Sequence, residues 1–408
     1  MVLTDERRSQ SAGAYFHYPF VDSTDSAEWI SPIFAGLRRE VFGLGCNTLV
    51  EVSVKGLIRI VLVWMVFLFA FRSASAEPLR LFYMDDSVEA ARSFEAHAAK
   101  IDLLVPTWYQ VDADGLLSGG SSAEILRVAQ QKKVAVMPIV SLFDQEVFHE
   151  LASSPKAQER MNDAMVRECK AHGYQGFQID FEHIYWTDRV LLTELVAQSA
   201  AALHASGFQL SVAVIPNAPG YVTTKYGFEA WMFRQWRGAY DLASLGRSAD
   251  WISLMTYDQH TRWTMPGPVA GWQWTIENVK YALKMVPADK LLLGIPLYGY
   301  RWYAESPEQS RDGESPEFSA DQVSDQEAAR LAASVGGSKV KWDAEDHSPY
   351  FYFYRQQMRE WVYFTDARAF EDRAGLVDRY HLKGYCAWVL GTEDPKIWES
   401  MPDHTQRR

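Results

Sequence analysis

The chain has 408 residues, above the usual size of one domain but within reach of a single barrel with insertions; its net charge of −12 argues against a nucleic-acid partner, because phosphate binding needs a cationic surface. Its 15 Trp, 20 Tyr and 21 Phe are a high aromatic load, explained either by core packing or by stacking on the C–H faces of pyranose rings. Cys46, Cys169 and Cys386 stand at no metal-ligand spacing and predict no disulfide framework; Cys169, on an expected helix, and Cys386, in an expected strand, read as buried free thiols.

Residues 1–53 show no sustained periodicity and read as a disordered extension or as a start placed too far upstream. Residues 54–76 follow with the parts of an export signal: the basic Lys55-Gly-Leu-Ile-Arg59, the apolar run Ile60 to Phe71, and Ser73-Ala-Ser-Ala76. Cleavage after Ala76 gives an exported chain, periplasmic, cell-envelope or extracellular. Left uncleaved, the segment is an inner-membrane anchor, although it is shorter than the roughly 20 residues that span a bilayer.

From Glu77 to the end at 408, short apolar runs alternate with helical patterns, as in βα units around a parallel sheet. The expected strands are Leu79–Met84, Ile101–Thr107, Val134–Val140, Gly176–Phe181, Gln209–Ile215, Trp251–Thr256, Lys290–Leu297 and Gly384–Val389, with helices such as Ser121–Lys132, Lys156–His172 and Asp188–Ser206 between them. This is the pattern of an α/β fold, a (β/α)8 TIM barrel. Between the seventh and eighth strands the chain is too long for one helix, which predicts a small α+β insertion at about 303–365. It would hold a helix over Ala320–Val335 and strands at Lys339–Trp342, Tyr350–Tyr354 and Trp361–Phe364, before helix Ala367–Tyr380 resumes the barrel. Leu117-Ser-Gly-Gly120 resembles a transporter ATPase signature, but no phosphate-binding loop accompanies it, and it reads as a turn.

Side chains alternate along a strand, so in Gly176-Phe-Gln-Ile-Asp-Phe-Glu182 the polar Gln178, Asp180 and Glu182 share one face. Phe177, Ile179 and Phe181 share the other and would meet the helices. The polar face then points into the barrel and Glu182 emerges at the C-terminal mouth, where barrel enzymes place their catalytic groups. Two crowded carboxylates repel, so one holds its proton to higher pH, as a general acid near neutrality requires. Glu182, at the mouth, is the better acid. Asp180 lies only about 6.6 Å away along the same strand face, on the wrong side of a scissile bond to be a nucleophile. The nucleophile then comes from the substrate, or from a carboxylate on another strand.

This strand resembles the fourth-strand signature of family 18 glycoside hydrolases, the chitinase-like enzymes, whose Asp-Gly-x-x-x-Asp-x-Glu pattern ends in the acid. Met255-Thr-Tyr-Asp258 is similar to that family's sixth-strand motif, Gly294-Ile-Pro-Leu-Tyr-Gly299 to its seventh and Ala387-Trp-Val-Leu-Gly391 to its eighth. The resemblance runs from about Leu79 to Trp398. Tyr257-Asp-Gln-His260, Pro266-Gly-Pro-Val269 and Leu390-Gly-Thr-Glu-Asp-Pro395 resemble the bacterial branch that includes spore peptidoglycan N-acetylglucosaminidases.

The resemblance implies a retaining, substrate-assisted hydrolase of β-linked N-acetylglucosamine polymers, peptidoglycan or chitin-like, working as a monomer with no metal and no cofactor. Its catalytic residues would be Glu182 as acid and base, Asp180 on the acetamide N–H and Tyr257 on the acetamide oxygen. Trp388 would floor the reacting sugar, and Met255, Asp258, Tyr298, Gln178, Tyr83 and Trp108 would line it, with barrel packing as the alternative for the apolar ones. Gln175 and Gln178 depart from the family pattern where many members have acids, so Asp180 cannot share a proton with a deeper carboxylate. His183, His260, His347 and His381 form no metal motif and read as surface or supporting groups. Two other readings remain: a non-catalytic carbohydrate-binding barrel, and a membrane-tethered partner of a polysaccharide synthesis or export system.

Overall fold

The computed structural model describes residues 77–222, 225–304, 318–336 and 338–404. The expected N-terminal extension, the signal segment 54–76 and Cys46 lie outside the described residues. In chain order the strands are β1 (Leu79–Met84), β2 (Leu103–Pro106), β3 (Tyr109–Val111), β4 (Leu117–Gly119), β5 (Ala135–Val136), β6 (Ile139–Leu142), β7 (Gly176–Phe181), β8 (Gln209–Val214), β9 (Trp251–Leu254), β10 (Leu291–Pro296), β11 (Tyr298–Ala304), β12 (Phe318–Ser324), β13 (Lys341–Asp343), β14 (Ser348–Arg355), β15 (Met358–Tyr363) and β16 (Gly384–Trp388).

One sheet runs β4-β3-β6-β7-β8-β9-β10-β16-β1-β2-β5, parallel except for the β3–β4 hairpin. Its two ends meet. β5 pairs with β2 and β6 with β7, and only Met137 and Pro138 separate β5 from β6, so the two are halves of one barrel strand. The expected strand Val134–Val140 is broken at Pro138 because proline has no N–H for the ladder. Its carbonyl still serves: the Gln178 amide donates to Pro138 O at 3.0 Å, and the Met137 amide donates to Leu104 O at 3.0 Å. The result is a closed (β/α)8 barrel. Leu117-Ser-Gly enters the short strand β4 against β3, and the chain turns out of it at Gly120.

Alternation along the strands sorts the core into two layers. Phe177, Ile179 and Phe181 of β7 are buried outside the sheet with Leu192, Leu195 and Val196 of helix Arg189–Ala205. Full burial of each such side chain contributes about 1.5–3 kcal/mol. Leu81, Tyr83, Leu103, Val105, Met137, Ile139, Trp251, Leu292 and Cys386 fill the barrel interior. Cys169 and Cys386 are both buried free thiols. Helix Pro155–His172, which delivers the chain to β7, starts with Ser154 accepting from the Ala157 amide and Pro155 at its first turn. It stops at Gly173, whose left-handed φ of 72° favours glycine.

Between β10 and β16 stands a second sheet, ordered β12-β11-β15-β14-β13 and antiparallel. It begins at Tyr298, directly after β10 and earlier than the expected boundary near 303. The expected helix Ala320–Val335 is also shorter: residues up to Ser324 pair with β11, and the helix covers Asp325–Ser334. A capping box between Ser324 and Glu327 fixes its start. Its Ala328 and Ala332 pack on Phe351, Phe353, Val362 and Phe364 of the sheet. Among the described residues, no helix is long and apolar enough to cross a membrane.

Arg373, 1% exposed, ties this insertion to the barrel. From helix Ala367–Tyr380 it donates to His347 O and Ala369 O, each at 2.9 Å, to Asp346 O at 3.3 Å and Ser348 Oγ at 3.2 Å, and to Ala270 O. Burial pulls its guanidinium down to about 10, so it remains charged at neutral pH. Removing it strands several buried carbonyls, each costing about 1–3 kcal/mol. Arg373→Met is therefore expected to lower unfolding stability by about 3 kcal/mol in urea titration, with Arg373→Lys recovering only part because an ammonium lacks the planar fork. A change within about 0.5 kcal/mol, the ordinary range for surface substitutions, would remove Arg373 from this role.

Candidate active site

The site is built upward from Gln178, which is fully buried halfway along β7. The register places Gln178 opposite Ser211 of β8, and Ala213 of β8 opposite Ser253 of β9. The Gln178 amide nitrogen donates to Ser211 Oγ at 2.9 Å and to Ser253 Oγ at 3.0 Å. Its amide oxygen makes no hydrogen bond among the described residues, and neither does Oδ1 of the buried Asp180, two residues further up the same face. Two buried acceptors thus lie on neighbouring rungs. A proton on Asp180, or a donor from a ligand, would relieve them.

Glu182 follows at the barrel mouth, partly exposed, its amide donating to Leu142 O at 2.9 Å. The strand end is clamped by Tyr240, whose hydroxyl donates to Phe181 O at 2.8 Å. The chain then turns sharply through His183, with φ 53°, whose ring stacks on Trp236 at 4.7 Å. At the end of β9, Thr256 Oγ1 donates to Gly294 O at 2.7 Å. Gly294 is needed there, because a Cβ would collide with Leu254 O and press on the Tyr257 ring. Tyr257 and Asp258 come next. Asp258 Oδ1 accepts from Tyr298 at 2.5 Å and, at the long distance of 3.4 Å, from Tyr300. Trp388 ends β16 with its ring 5.2 Å from Tyr83, and Met255 is buried beside the β9 mouth.

Burial pushes the Asp180 carboxyl up to about 7. Glu182 is raised well above the usual carboxylate range, by burial first and then by repulsion from Asp180 and Asp258. Its partial opening to solvent tempers that repulsion. Asp258 is also raised by burial, and the tyrosine hydrogen bonds pull it back. The Tyr257 hydroxyl is raised by burial, then by Tyr83, Cys386 and the two β7 carboxylates, so it stays a donor. Among the described residues, no cation forms an ion pair with these three carboxylates.

The barrel therefore gathers Gln178, Asp180, Glu182, Met255, Tyr257, Asp258, Tyr298, Trp388 and Tyr83 on its interior and C-terminal mouth. Trp108 stands apart from them: it lies between β2 and β3, which continues the barrel sheet along β6, and its ring packs in the outer layer 6.1 Å from that of Tyr174. The histidines serve the scaffold: His260 Nδ1 lies 3.0 Å from Met265 O, His347 stacks on Trp272 at 4.1 Å, and His381 closes helix Ala367–Tyr380. Among the described residues, no three His, Cys, Asp or Glu side chains are grouped as metal ligands. Ser211 and Ser253 escaped the sequence reading although strand alternation marks both as inward-facing. Tyr240 lies in a loop, where no periodicity signals it.

The sequence profile of glycosyl hydrolases family 18 matches residues 82–393. The glycosylase YvbX of Bacillus subtilis (strain 168) is 22% identical over 349 residues, 84% of this chain and 96% of the relative. The cortical fragment-lytic enzyme of the same organism is 24% identical over 301 residues, 72% of this chain and 66% of that protein, so the alignment spans just under two thirds of its length. The crystal structure of a chitinase from Chromobacterium violaceum ATCC 12472 superposes with a TM-score of 0.67 at 26% identity, covering 81% of this chain and 100% of the chitinase.

Asp180 also bears on stability. Its carboxyl keeps its proton in the fold up to about 7, whereas an unfolded Asp releases it near pH 4. The native state then binds the extra proton between these values, so Asp180 lowers stability progressively as pH rises through that window. Asp180→Asn should stabilise the protein more at pH 8 than at pH 4, by up to about 4 kcal/mol, read by denaturant unfolding at both. Equal effects at the two pH values would mean that Asp180 is not held protonated.

Proposed function

The chain belongs to glycosyl hydrolases family 18 and is a glycoside hydrolase, and from that membership we propose that it cleaves β-linked N-acetylglucosamine polymers with retention, using the substrate's own acetamide as nucleophile. The observation that carries this reading is the placement of Asp180 and Glu182 on one face of one strand. A protein nucleophile belongs across the scissile bond from the acid, a position that Asp180 cannot take.

In the first step the acetamide carbonyl oxygen bonds to the anomeric carbon as the bond to the leaving oxygen breaks. Glu182, protonated because burial and its acidic neighbours raise it, delivers its proton to that oxygen. Asp180 accepts from the acetamide N–H and offsets the positive charge of the oxazolinium ring. The Tyr257 hydroxyl donates to the acetamide oxygen and aligns it. In the second step water attacks the anomeric carbon, Glu182 takes the water's proton, and the acetamide oxygen departs. Two displacements restore the original configuration. Trp388 floors the sugar, with Tyr83 and Met255 beside it. Asp258, held by Tyr298, faces the departing side.

Relatives include a protein named for lysing cortical fragments, and solved structures of similar fold include chitinases. On that basis the substrate class is peptidoglycan or a chitin-like polymer, met outside the cytoplasm after export. Glu182→Gln should lower kcat/KM on an N-acetylglucosamine oligomer by about a thousandfold with the urea midpoint no lower than that of the wild type. Tyr257→Phe should lower kcat by about a hundredfold while KM moves little. Full activity of the Glu182 variant would overturn the assignment of the acid.

A further inference from the structure

The insertion sheet has two unlike faces. One is closed by helix Asp325–Ser334. The other carries Tyr300 and Trp302 of β11, Trp361 and Tyr363 of β15, and Tyr350 and Tyr352 of β14; the register sets Tyr300 and Tyr350 opposite Tyr363, and Trp302 and Tyr352 opposite Trp361. Their rings touch in a continuous series. Centroids lie 5.8 Å apart for Tyr298 and Tyr300, 5.6 Å for Tyr300 and Trp302, 6.2 Å for Trp302 and Tyr363, 5.2 Å for Tyr363 and Tyr350, and 5.0 Å for Trp361 and Tyr352. Trp302 is fully buried and donates its ring N–H to Thr261 O at 3.0 Å, while the rings beyond it are partly open to solvent.

The series starts at Tyr298, on Asp258, and ends on the order of 15 Å further out, by strand rise and spacing. Two cations stand at that far end. The Arg359 guanidinium lies 5.1 Å from the Tyr352 ring and 5.5 Å from Trp361, and donates to the Tyr354 hydroxyl at 3.0 and 2.6 Å. Lys341 Nζ lies 4.7 Å from the Tyr352 ring. Neither forms an ion pair with a carboxylate among the described residues. Ring contacts orient a charge without neutralising it, so both charges stay available to a ligand.

We propose that this face is a binding track for the polymer outside the cleft, and that its cationic end selects a glycan bearing carboxylates. This rests on the glycosidase reading, which brings a sugar polymer to the near end of the track. Aromatic rings with phenolic hydroxyls suit a ligand that alternates C–H faces and hydroxyl groups. The charge points to the acidic class. On a chain of net charge −12 an anionic polymer is repelled by the surface as a whole, and unneutralised cations beside the polymer's path give it a place to dock.

The test is binding, measured by fluorescence titration on protein carrying Glu182→Gln so that the ligand stays intact. The ligands are soluble peptidoglycan strands with free stem carboxylates and a neutral N-acetylglucosamine hexamer. Adding Lys341→Gln and Arg359→Gln should raise Kd for the carboxylated strands about fivefold and flatten its salt dependence, leaving the hexamer within twofold. Adding Trp361→Ala should weaken binding of the carboxylated strands even at high salt. Unchanged affinity of the strands in the charge variant, or equal weakening of the hexamer, would overturn the proposal. Hydrolysis by the wild-type protein is scored separately, so failure of the glycosidase reading would show there and not in these titrations.

Discussion

Everything at the barrel mouth depends on a buried carboxylate, Asp180, lying beneath a partly exposed one, Glu182, with no cation paired to either among the described residues. Such an arrangement costs stability, and the fold confines that cost to one strand. The inward positions on β8 and β9 supply Ser211 and Ser253, which hold Gln178 and make one side of the interior polar. The other side is filled by Leu81, Leu103, Val105, Met137 and Leu292. Burial on that scale raises both carboxyls, and raised carboxyls are what acid catalysis near neutrality uses. Tyr240 then fixes the strand end, and Gly294 leaves room for the Tyr257 ring.

Much of this was legible in the sequence, because period-two alternation is strict wherever a strand separates two environments. Phe177, Ile179 and Phe181 announced the helix layer, and Gln178, Asp180 and Glu182 the interior. The same rule, applied to Gln209-Leu-Ser and Trp251-Ile-Ser, would have found the two serines. Where the reading failed, local pattern gave way to tertiary context. Residues 320–324 have a composition that suits a helix, yet they pair with β11 because Ser324 caps the helix behind them. Trp108 follows a barrel strand, yet its ring turns to Tyr174 in the outer layer. Arg373 sits in an amphipathic helix where an arginine reads as surface, and only the approach of Ala270 and the 346–348 turn makes it buried.

The insertion extends the account from the reacting bond to the polymer. Arg373 holds it to the barrel, Tyr298 joins it to Asp258, and its aromatic face continues outward from there. The proposed polymer track thus begins where the insertion sheet touches the barrel mouth. A glycosidase organised this way can read features of its substrate well away from the cleaved bond, while the proposed mechanism leaves the displacement itself to the substrate.

That last point is the central claim, and the nucleophile can be probed directly. Aryl glucosaminides whose 2-acetamido group carries zero to three fluorines differ in the nucleophilicity of the amide oxygen and little in size. Substrate assistance predicts that kcat/KM falls steeply and steadily across the series, by well over an order of magnitude. Rates that are level across it would place the nucleophile on the protein and contradict the account.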